Sequence, residues 1–553
     1  MNGFFADIDK DIKKRLFDYV KVQTYTYTER EREAENFLND QFGEMDYFKA
    51  HPELHGTYPI QGDPFGRSAY WAMLKGEGRD TVVMIHHSDI VDVEDFKMLK
   101  SLAFSPEELR ESLFKIIKSL PRDAQKDLEE DTFLFGRGTA DMKGGGAIQI
   151  TLMERYSKLQ NFKGNLIILA VPDEENMSAG MLSATTLLSE LQDQYGLDYK
   201  LMINSESHQR KDFAKGVVSE GSVGKIMPFV YVRGYLAHAG KVFEGFNPIG
   251  LMSKIVDKTE LNMDFSDTAQ GEVAPPPTWL YLKDSKNRYD VSMPQSIAGC
   301  FSILTLHTDP SEIEERVREV CREASREVLE KMKKSWDDFL ERNKWEEEPL
   351  PWEVKVCNFK ELYEEAKDHY GEEFENGFKD KMQHLSVMMF NKEKTAIESN
   401  FDLLDFIYNY IDDQTPRVIY GFVPPYYPNV SNVYFKDGGA MAGKLSKALN
   451  DFTEKEFGQS YIREHFYTGI SDLSYSGMED GEAIMNSMKD NMPLYGDYYS
   501  IPTGDIEKIS MPVINIGPWG KDIHKVTERV SKEDLYERTP RIIDKALSMV
   551  LGW

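Results

Sequence analysis

Four short apolar runs in this chain each end close to a histidine or a carboxylate. Such runs, bounded by turn signals, are typical of strands that are buried on both faces of a parallel sheet. In open α/β sheets, ligands bind outside the carboxyl ends of the strands. Imidazoles and carboxylates gathered at one such edge would form a metal site suited to hydrolysis, and this is the site we predict. The runs are 82–85, 166–171, 201–203 and 513–516, and the groups that follow them are His87, Asp173–Glu175, Glu206 and His524.

The pattern of predicted elements indicates two domains. Strand and helix signals alternate from about residue 69 to residue 206, as in stacked βαβ units, change near Phe213, and return to α/β from Phe359 onward. We therefore predict an α/β catalytic domain formed by residues 1–212 and 356–553, with a mostly parallel sheet flanked by helices (phosphorylase/hydrolase-like). A smaller α+β domain is expected as an insertion at 213–355, where Asp309-Pro310 begins a long amphipathic helix.

Composition excludes several classes of protein. Acidic residues number 94 against 66 basic ones, for a net charge of -28, so we predict no nucleic-acid or membrane partner. The simpler alternative is that the acid excess only keeps the surface soluble. The three cysteines have no paired spacing, which argues against disulfides or a thiolate zinc site and favours a cytoplasmic location. The sequence contains no uninterrupted run of about 18 apolar residues, so we predict no transmembrane helix.

A glycine cluster directly follows a candidate ligand. Asp141 lies in the segment Gly136–Gly146, and Gly144, Gly145 and Gly146 precede an apolar helical stretch. Glycine allows a backbone to approach another group closely, so we expect something bound near this segment. A flexible loop or a phosphate-binding turn would also explain the glycines, although no dinucleotide-binding arrangement surrounds them.

Two pairs of polar residues have spacings that suit a metal site. His87 and Asp89 are two apart and therefore point the same way in extended chain, whereas His86 points the opposite way. Glu174 and Glu175 are adjacent and point apart, so one can bind a metal while the other acts as general base. The alternative for His87 and Asp89 is that this spacing occurs by chance. The alternative for Glu174 and Glu175 is an ordinary acidic strand end.

Taken in order, these motifs resemble the co-catalytic zinc metallopeptidase family. That family includes aminoacylase, carboxypeptidase G, acetylornithine deacetylase and succinyl-diaminopimelate desuccinylase. The resemblance rests on His-x-Asp at 87–89, Gly-Arg-Gly-x-x-Asp-Met-Lys-Gly at 136–144, Asp-Glu-Glu at 173–175, Glu206, and an ending at 517–528 that contains Gly-Pro, His524 and Glu528.

The resemblance implies a complete site with two Zn²⁺ ions per chain, for which Mn²⁺ or Co²⁺ are possible substitutes. It implies one bridging ligand, two ligands to each metal, a general base, a carboxylate that orients a ligand histidine, and an oxyanion donor that reaches a partner subunit. By this resemblance Asp141 is the bridging ligand, His87 and Glu206 complete one metal, and Glu175 and His524 complete the other. Glu174 is the general base, Asp89 orients His87, and His238 is the oxyanion donor. A lone histidine such as His238 is otherwise more often structural. The family also implies that the inserted domain at 213–355 is a lid or dimerisation domain, and hence a possible homodimer through it.

The chain departs from the family in three respects. Residues 293–306 contain no arginine, which many relatives use to hold the substrate carboxylate, and segments 92–131 and 371–429 carry none of the motifs. The length and the variant Asn204–Ser207 are most similar to the arginine-utilisation branch of the family.

We therefore expect a metal-dependent hydrolase that uses metal-activated water to cleave an amide bond in a small acylated amino acid or short peptide, within arginine or amino-acid catabolism. Two alternatives remain at this stage. The protein could bind metal without catalysis, as a sensor or scaffold, or its carboxylates could merely line a solvated edge of the sheet.

Overall fold

The computed structural model describes residues 3–435, 438–496 and 498–552, apart from the side chains of residues 438–442. The chain forms two compact units. The first comprises the chain up to Val223, Pro428–Glu479 and the chain from Pro502 onward. The second comprises Gly224–Tyr427 and Asp480–Ile501.

The strands form one large sheet in each unit, together with small two- and three-stranded sheets. The strands are β1 (His55–Pro59), β2 (Ser68–Lys75), β3 (Glu77–His87), β4 (Phe133–Phe135), β5 (Lys163–Val171), β6 (Asp198–Asn204), β7 (Gly216–Ser219), β8 (Gly221–Ser222), β9 (Gly224–Ile226), β10 (Pro228–Arg233), β11 (Thr268–Ala269), β12 (Glu272–Val273), β13 (Thr278–Asp284), β14 (Ser296–Thr305), β15 (Lys355–Asn358), β16 (Arg417–Phe422), β17 (Val430–Ser431), β18 (Tyr461–Glu464), β19 (Val513–Asn515), β20 (Gly520–Lys521) and β21 (Arg529–Ser531).

The α-helices are α1 (Ile8–Val20), α2 (Arg32–Gly43), α3 (Asp46–Ala50), α4 (Pro106–Lys115), α5 (Arg122–Glu130), α6 (Lys143–Ser157), α7 (Ala179–Tyr195), α8 (Pro248–Thr259), α9 (Pro310–Asn343), α10 (Phe359–Phe390), α11 (Ala396–Ile407), α12 (Gly438–Phe457), α13 (Gly481–Met488), α14 (Thr503–Ile509) and α15 (Thr539–Leu551). The predicted start of α9 is correct, because Pro310 is its first residue and the Asp309 side chain accepts a hydrogen bond from the Ser311 N–H.

The first unit is built on an eight-stranded, mostly parallel sheet, as predicted. Its order is β1-β2-β5-β3-β6-β19-β7-β18, and β5, β3, β6 and β19 are four parallel neighbours. These four strands correspond to the four apolar runs of the sequence, and the residues of the runs themselves are buried. Because the strands are parallel and adjacent, their carboxyl ends meet at one edge of the sheet.

The second unit is larger than the inserted domain predicted at 213–355. Its sheet has the order β13-β14-β10-β16-β15, with β9 paired to β14, and β16 lies between β10 and β15. Helices α10 and α11 contribute Leu362, Ala366 and Leu404 to a core shared with Phe229 of β10. The predicted boundary at residue 355 is therefore wrong: strand pairing places the chain up to Tyr427 with the second unit. The α/β pattern after Phe359 did not reveal this, because β15 and β16 are themselves parallel.

Segment 92–131, which carries none of the expected motifs, is a helical part of the first unit. It contains α4 and α5 and buries a cluster of its own around Phe96, Leu109 and Leu128. Within the described residues, no helix combines the length and apolarity needed to cross a bilayer.

The glycine cluster at the start of α6 is explained by close packing inside the first unit. A Cβ atom on Gly145 would lie 2.2 Å from the Ser205 carbonyl oxygen, and one on Gly146 would lie 2.6 Å from the His86 ring. The expected close approach is therefore real, but the neighbours are the chain's own groups rather than a bound molecule. This contact presses the beginning of α6 against the end of β6.

We predict that Gly145→Ala destabilises the protein by about 1–3 kcal/mol, because the added methyl group overlaps a backbone oxygen. Gly43→Ala is the matched control in the same unit, since a Cβ there meets nothing within 4 Å. Its effect should stay within about 0.5 kcal/mol. Urea unfolding of both variants measures the difference, and equal stability of the two would contradict this account of the glycine cluster.

Candidate metal centre

Five side chains meet at the carboxyl edge of the first unit's sheet. They form two potential ligand sets, in each of which one nitrogen or oxygen atom per residue lies within 4.8 Å of the others. The first set is His87, Asp141 and Glu206, and the second is Asp141, Glu175 and His524. The neighbouring Glu174 forms a third such set with His87 and Glu175. All five residues were predicted from the sequence as ligands, and the structure brings all five together.

Asp141 is common to both sets and presents a different oxygen to each. Its Oδ1 lies 2.9 Å from His87 Nε2, and its Oδ2 lies 2.9 Å from His524 Nε2. Glu206 Oε2 is 3.6 Å from His87 Nε2, and Glu175 Oε1 is 2.8 Å from His524 Nε2. Asp141 therefore offers one oxygen to each set and would be the ligand shared by two cations.

The orientation of His87 is fixed by the residue two positions further on. His87 is the last residue of β3, and its Nδ1 lies 3.1 Å from the Asp89 carbonyl oxygen. Because a carbonyl oxygen only accepts, Nδ1 carries the proton and Nε2 is left as the nitrogen that can bind a cation. The Asp89 carboxylate is 3.5 Å from the same Nδ1, so the expected contact with His87 is made more closely by the backbone than by the side chain.

The Asp89 carboxylate mainly holds the two glutamates. Its Oδ1 accepts the Glu174 backbone N–H and its Oδ2 accepts the Glu175 backbone N–H, each at 3.2 Å. Asp89 is completely buried. It therefore joins the end of β3 to the turn after β5.

Glu206 and Asp141 are each held by a further polar residue. Asn515, a lone amide in an apolar strand, accepts the Glu206 N–H at 3.0 Å and donates to the Glu206 carbonyl oxygen at 2.9 Å. Glu528 accepts from the Asp141 N–H at 3.4 Å and pairs with Arg137 at 2.5 Å. A polar residue inside a buried strand was the signal that could have identified Asn515.

His524 reaches the site from the turn between β20 and β21. Its backbone has a φ of 66°, in the left-handed region, and its side chain is 47% exposed. Hydrogen bonds to Asp141 and Glu175 raise the pKa of His524 to about 10. In the metal-free chain this imidazole therefore carries a proton at neutral pH.

Burial dominates the electrostatics of the carboxylates. It raises the pKa of Glu206 to about 8, with a further contribution from Asp141, and it raises the pKa of Glu174 well above the usual range. Burial also opposes ionisation of Asp141, but hydrogen bonds from His524 and His87 outweigh it and lower the pKa of Asp141. Such a concentration of buried acids is stable as carboxylates only beside positive charge.

The donor chemistry fits a pair of divalent cations. Two imidazoles and three carboxylates, with no thiolate, provide the nitrogen and oxygen ligands that zinc, manganese and cobalt accept. Asp141 would be shared, and each cation would gain one histidine and one glutamate.

Several other polar groups lie close to this cluster. Asp472 is 97% buried, and among the described residues neither of its carboxylate oxygens has a hydrogen-bond partner of ordinary geometry. Burial raises the pKa of Asp472 to about 7. The Tyr467 hydroxyl donates to the Ser207 carbonyl oxygen at 3.2 Å, and burial together with Glu206 raises the pKa of that hydroxyl. No sequence pattern singled out Tyr467.

The remaining histidines have other contacts. His86 points away from the cluster, as predicted, and its Nδ1 donates to Gln149 Oε1 at 2.9 Å. His208 is buried and is held by the Gly517 carbonyl oxygen and Arg210. His238 belongs to the second unit, where it is exposed and its Nδ1 accepts the Gly240 N–H at 3.1 Å.

Comparison with known proteins is consistent with this site and fold. The sequence profile of peptidase family M20/M25/M40 matches residues 119–547. The uncharacterized protein YqjN of Bacillus subtilis is 30% identical over 512 residues, which cover 92% of this chain and 90% of YqjN. Protein RocB of the same organism is 27% identical over 521 residues, which cover 92% of this chain and 89% of RocB.

Two solved structures share the fold at low sequence identity. A tripeptidase from Staphylococcus aureus superposes with a TM-score of 0.53 at 12% identity, covering 99% of each chain. Human carnosine dipeptidase 1 superposes with a TM-score of 0.53 at 11% identity, covering 99% of this chain and 98% of the other. Since the profile covers well over half of the sequence, the chain belongs to peptidase family M20/M25/M40, a family of metallopeptidases.

Proposed function

We propose that the protein hydrolyses an amide bond in a small acylated amino acid or short peptide, with two zinc ions per chain. Manganese or cobalt would be possible substitutes, given the ligand types. The observation that carries this proposal is the placement of Asp141, with one oxygen toward each histidine, beside the paired carboxylates Glu174 and Glu175.

The chain's own residues have distinct parts in this reaction. A pair of cations would polarise the scissile carbonyl and lower the pKa of the attacking water. Glu174 would take a proton from that water and pass it to the nitrogen that leaves when the C–N bond breaks, giving a carboxylic acid and an amine. The buried setting that raises the pKa of Glu174 suits a group that must accept and then release a proton near neutral pH.

We further propose that His238 donates a hydrogen bond to the developing oxyanion in a partner subunit, and that the protein is a homodimer joined through its second unit. Because Nδ1 of His238 accepts the Gly240 N–H, the proton of the neutral ring lies on Nε2, which is then available as a donor. The three cysteines are free, which supports a working location in the reducing cytoplasm.

The charge of the site bears on the substrate class. Six carboxylic groups interact there, and when all of them are ionised beside bound metal their combined charge exceeds that of two divalent cations; they are Asp89, Asp141, Glu174, Glu175, Glu206 and Asp472. A neutral or cationic substrate would therefore be favoured over an anionic one. Together with the resemblance of the chain length and of Asn204–Ser207 to the arginine-utilisation branch of the family, this supports a role in amino-acid catabolism that includes arginine derivatives.

We predict that Glu174→Gln lowers kcat by about 10²–10⁴-fold while the metal content of the protein stays unchanged, because the amide cannot accept the proton. Glu175→Gln is the matched neighbour and should instead lower metal occupancy. Elemental analysis and turnover of an N-acyl amino acid panel check both variants. Equal loss of metal and activity in Glu174→Gln would contradict the assigned division of roles.

Metal binding should release at least one proton per chain at pH 7. His524, with a pKa of about 10 in the metal-free chain, must lose its proton before its nitrogen can bind a cation. The apparent affinity should accordingly rise as pH increases from 6 toward that pKa, by about tenfold per pH unit for each proton released. Calorimetric titration with Zn²⁺ in two buffers of different ionisation enthalpy measures the number of protons, and a value of zero would refute the prediction.

We predict from the excess of carboxylates in the site that kcat/KM for N-acetylglutamine exceeds that for N-acetylglutamate by at least about tenfold, which is a difference of about 1.4 kcal/mol. N-acetylarginine and N-acetylcitrulline form the corresponding cationic and neutral pair, and the cationic member should not be the poorer substrate. Asp472→Asn should reduce the difference in kcat/KM between N-acetylglutamine and N-acetylglutamate, because it removes one of the carboxylates. Preference for the glutamate derivative would show that the excess of negative charge does not select the substrate.

A further inference from the structure

We propose that Arg67 is a positioning residue for the reaction, which acts through Asp173 on the turn that carries Glu174 and Glu175. The inference rests on the proposed roles of the two glutamates and goes beyond them, because Arg67 belongs to no motif of the sequence. It lies just before β2 and has no direct contact with the five candidate ligands among the contacts described.

Arg67 is the centre of a buried ionic cluster. Its Nη1 lies 2.7 Å from Glu31 Oε1 and 2.6 Å from Asp173 Oδ1, and its Nη2 lies 2.7 Å from Asp63 Oδ1. All four side chains are at most 2% exposed. One guanidinium thus holds three carboxylates that would otherwise repel one another in a region of low dielectric constant.

Asp173 in turn organises the segment that follows β5. Its φ of 73° lies in the left-handed region, which bends the chain sharply just before Glu174. Its carbonyl oxygen accepts the N–H groups of Asn176, Met177 and Ser178, and its Oδ2 accepts the N–H of Ala179, the first residue of α7. The conformation of the whole turn therefore depends on where the Asp173 carboxylate and backbone are held.

The cluster also holds the Asp173 backbone. Glu31 accepts the Asp173 N–H on Oε2 at 2.8 Å, while its Oε1 binds Arg67. Glu31 is the residue that completes the capping box with Thr28, so it is fixed at the beginning of the helical segment 29–43. The turn is thereby tied to a second, independently ordered part of the chain.

Asp89 holds the opposite end of the same turn. It accepts the backbone N–H groups of Glu174 and Glu175. The two glutamates therefore lie between a carboxylate that fixes their own amides and an arginine that fixes the preceding residue. Metal ligands and a general base need placement to within about 0.5 Å, and residues that support ligands typically change metal affinity or activity by 10–100-fold when they are replaced.

Lysine cannot replace the arginine in this arrangement. The planar guanidinium reaches Glu31 and Asp173 with one nitrogen and Asp63 with others, whereas an ammonium group is a single point of contact on a flexible stem. Arg67→Lys keeps the buried positive charge and so preserves the fold better than a neutral substitution. It should nevertheless loosen the contact with Asp173.

The test uses the full-length, metal-loaded protein with Arg67→Lys and Asp173→Asn, which break the same contact from its two sides. Both variants should bind Co²⁺ at least tenfold more weakly, with an altered visible spectrum of the Co²⁺-substituted protein. Their kcat should fall by 10–100-fold, because Glu174 and Glu175 are displaced from their positions. Their KM should change less, because the substitutions do not remove a contact with the substrate.

Arg417→Lys is the matched control for a general loss of stability. Arg417 is also 2% exposed and binds two carboxylates, Glu365 at 2.6 Å and Asp413 at 3.1 Å, but it lies in the second unit. Arg417→Lys should lower the melting temperature of the protein while leaving Co²⁺ affinity, the Co²⁺ spectrum and kcat unchanged.

The outcomes separate this inference from the proposed function. If wild-type protein binds about two metal ions and turns over, yet Arg67→Lys and Asp173→Asn match the control in every metal and kinetic measurement, Arg67 is only structural and the inference is wrong. If wild-type protein binds no metal or shows no turnover, the proposed function itself fails. Weaker Co²⁺ binding in both variants but not in Arg417→Lys would establish the positioning role.

Discussion

The site depends on a concentration of buried negative charge at one edge of a parallel sheet. Asp141 and Glu206 are buried and Glu175 is largely so, and Asp89 lies completely buried beside them. Carboxylates so placed are stable in their ionised form only when cations or directed hydrogen bonds compensate them. Backbone amides and histidines supply the hydrogen bonds, and the negative charge that they leave uncompensated favours the binding of metal cations.

The precision of the cluster comes from residues that do not belong to it. Asn515 holds the backbone of Glu206 on both sides, Asp89 accepts the amides of the glutamate pair, and Arg67 fixes the residue before them. Each of these groups is buried, and each joins two segments that are distant in sequence. The candidate ligands are thus held by a layer of polar contacts that crosses the ends of several strands.

The larger architecture follows from strand pairing rather than from local sequence character. Strand β16 resembles any other buried strand, yet its pairing with β10 and β15 makes it part of the second unit's sheet. The same applies to the glycine cluster, which is required because Gly145 packs against the carbonyl oxygen of Ser205 and Gly146 packs against the ring of His86. A local pattern shows that a strand or a close approach exists, but it does not name the partner.

Strong local signals were enough to predict part of this structure. Apolar runs bounded by turn signals predicted the four parallel strands, because burial on two faces is encoded locally, and His87, Glu175, Glu206 and His524 follow those runs. Asp141 was singled out by the glycine-rich segment around it, and the complete set of five ligands was implied by the family resemblance. The boundary of the second unit, the contact between Asp89 and the glutamate amides, and the cluster around Arg67 became visible only in the folded chain. These depend on pairs of residues far apart in the chain, such as Arg67 and Asp173, whose proximity no spacing in the sequence records.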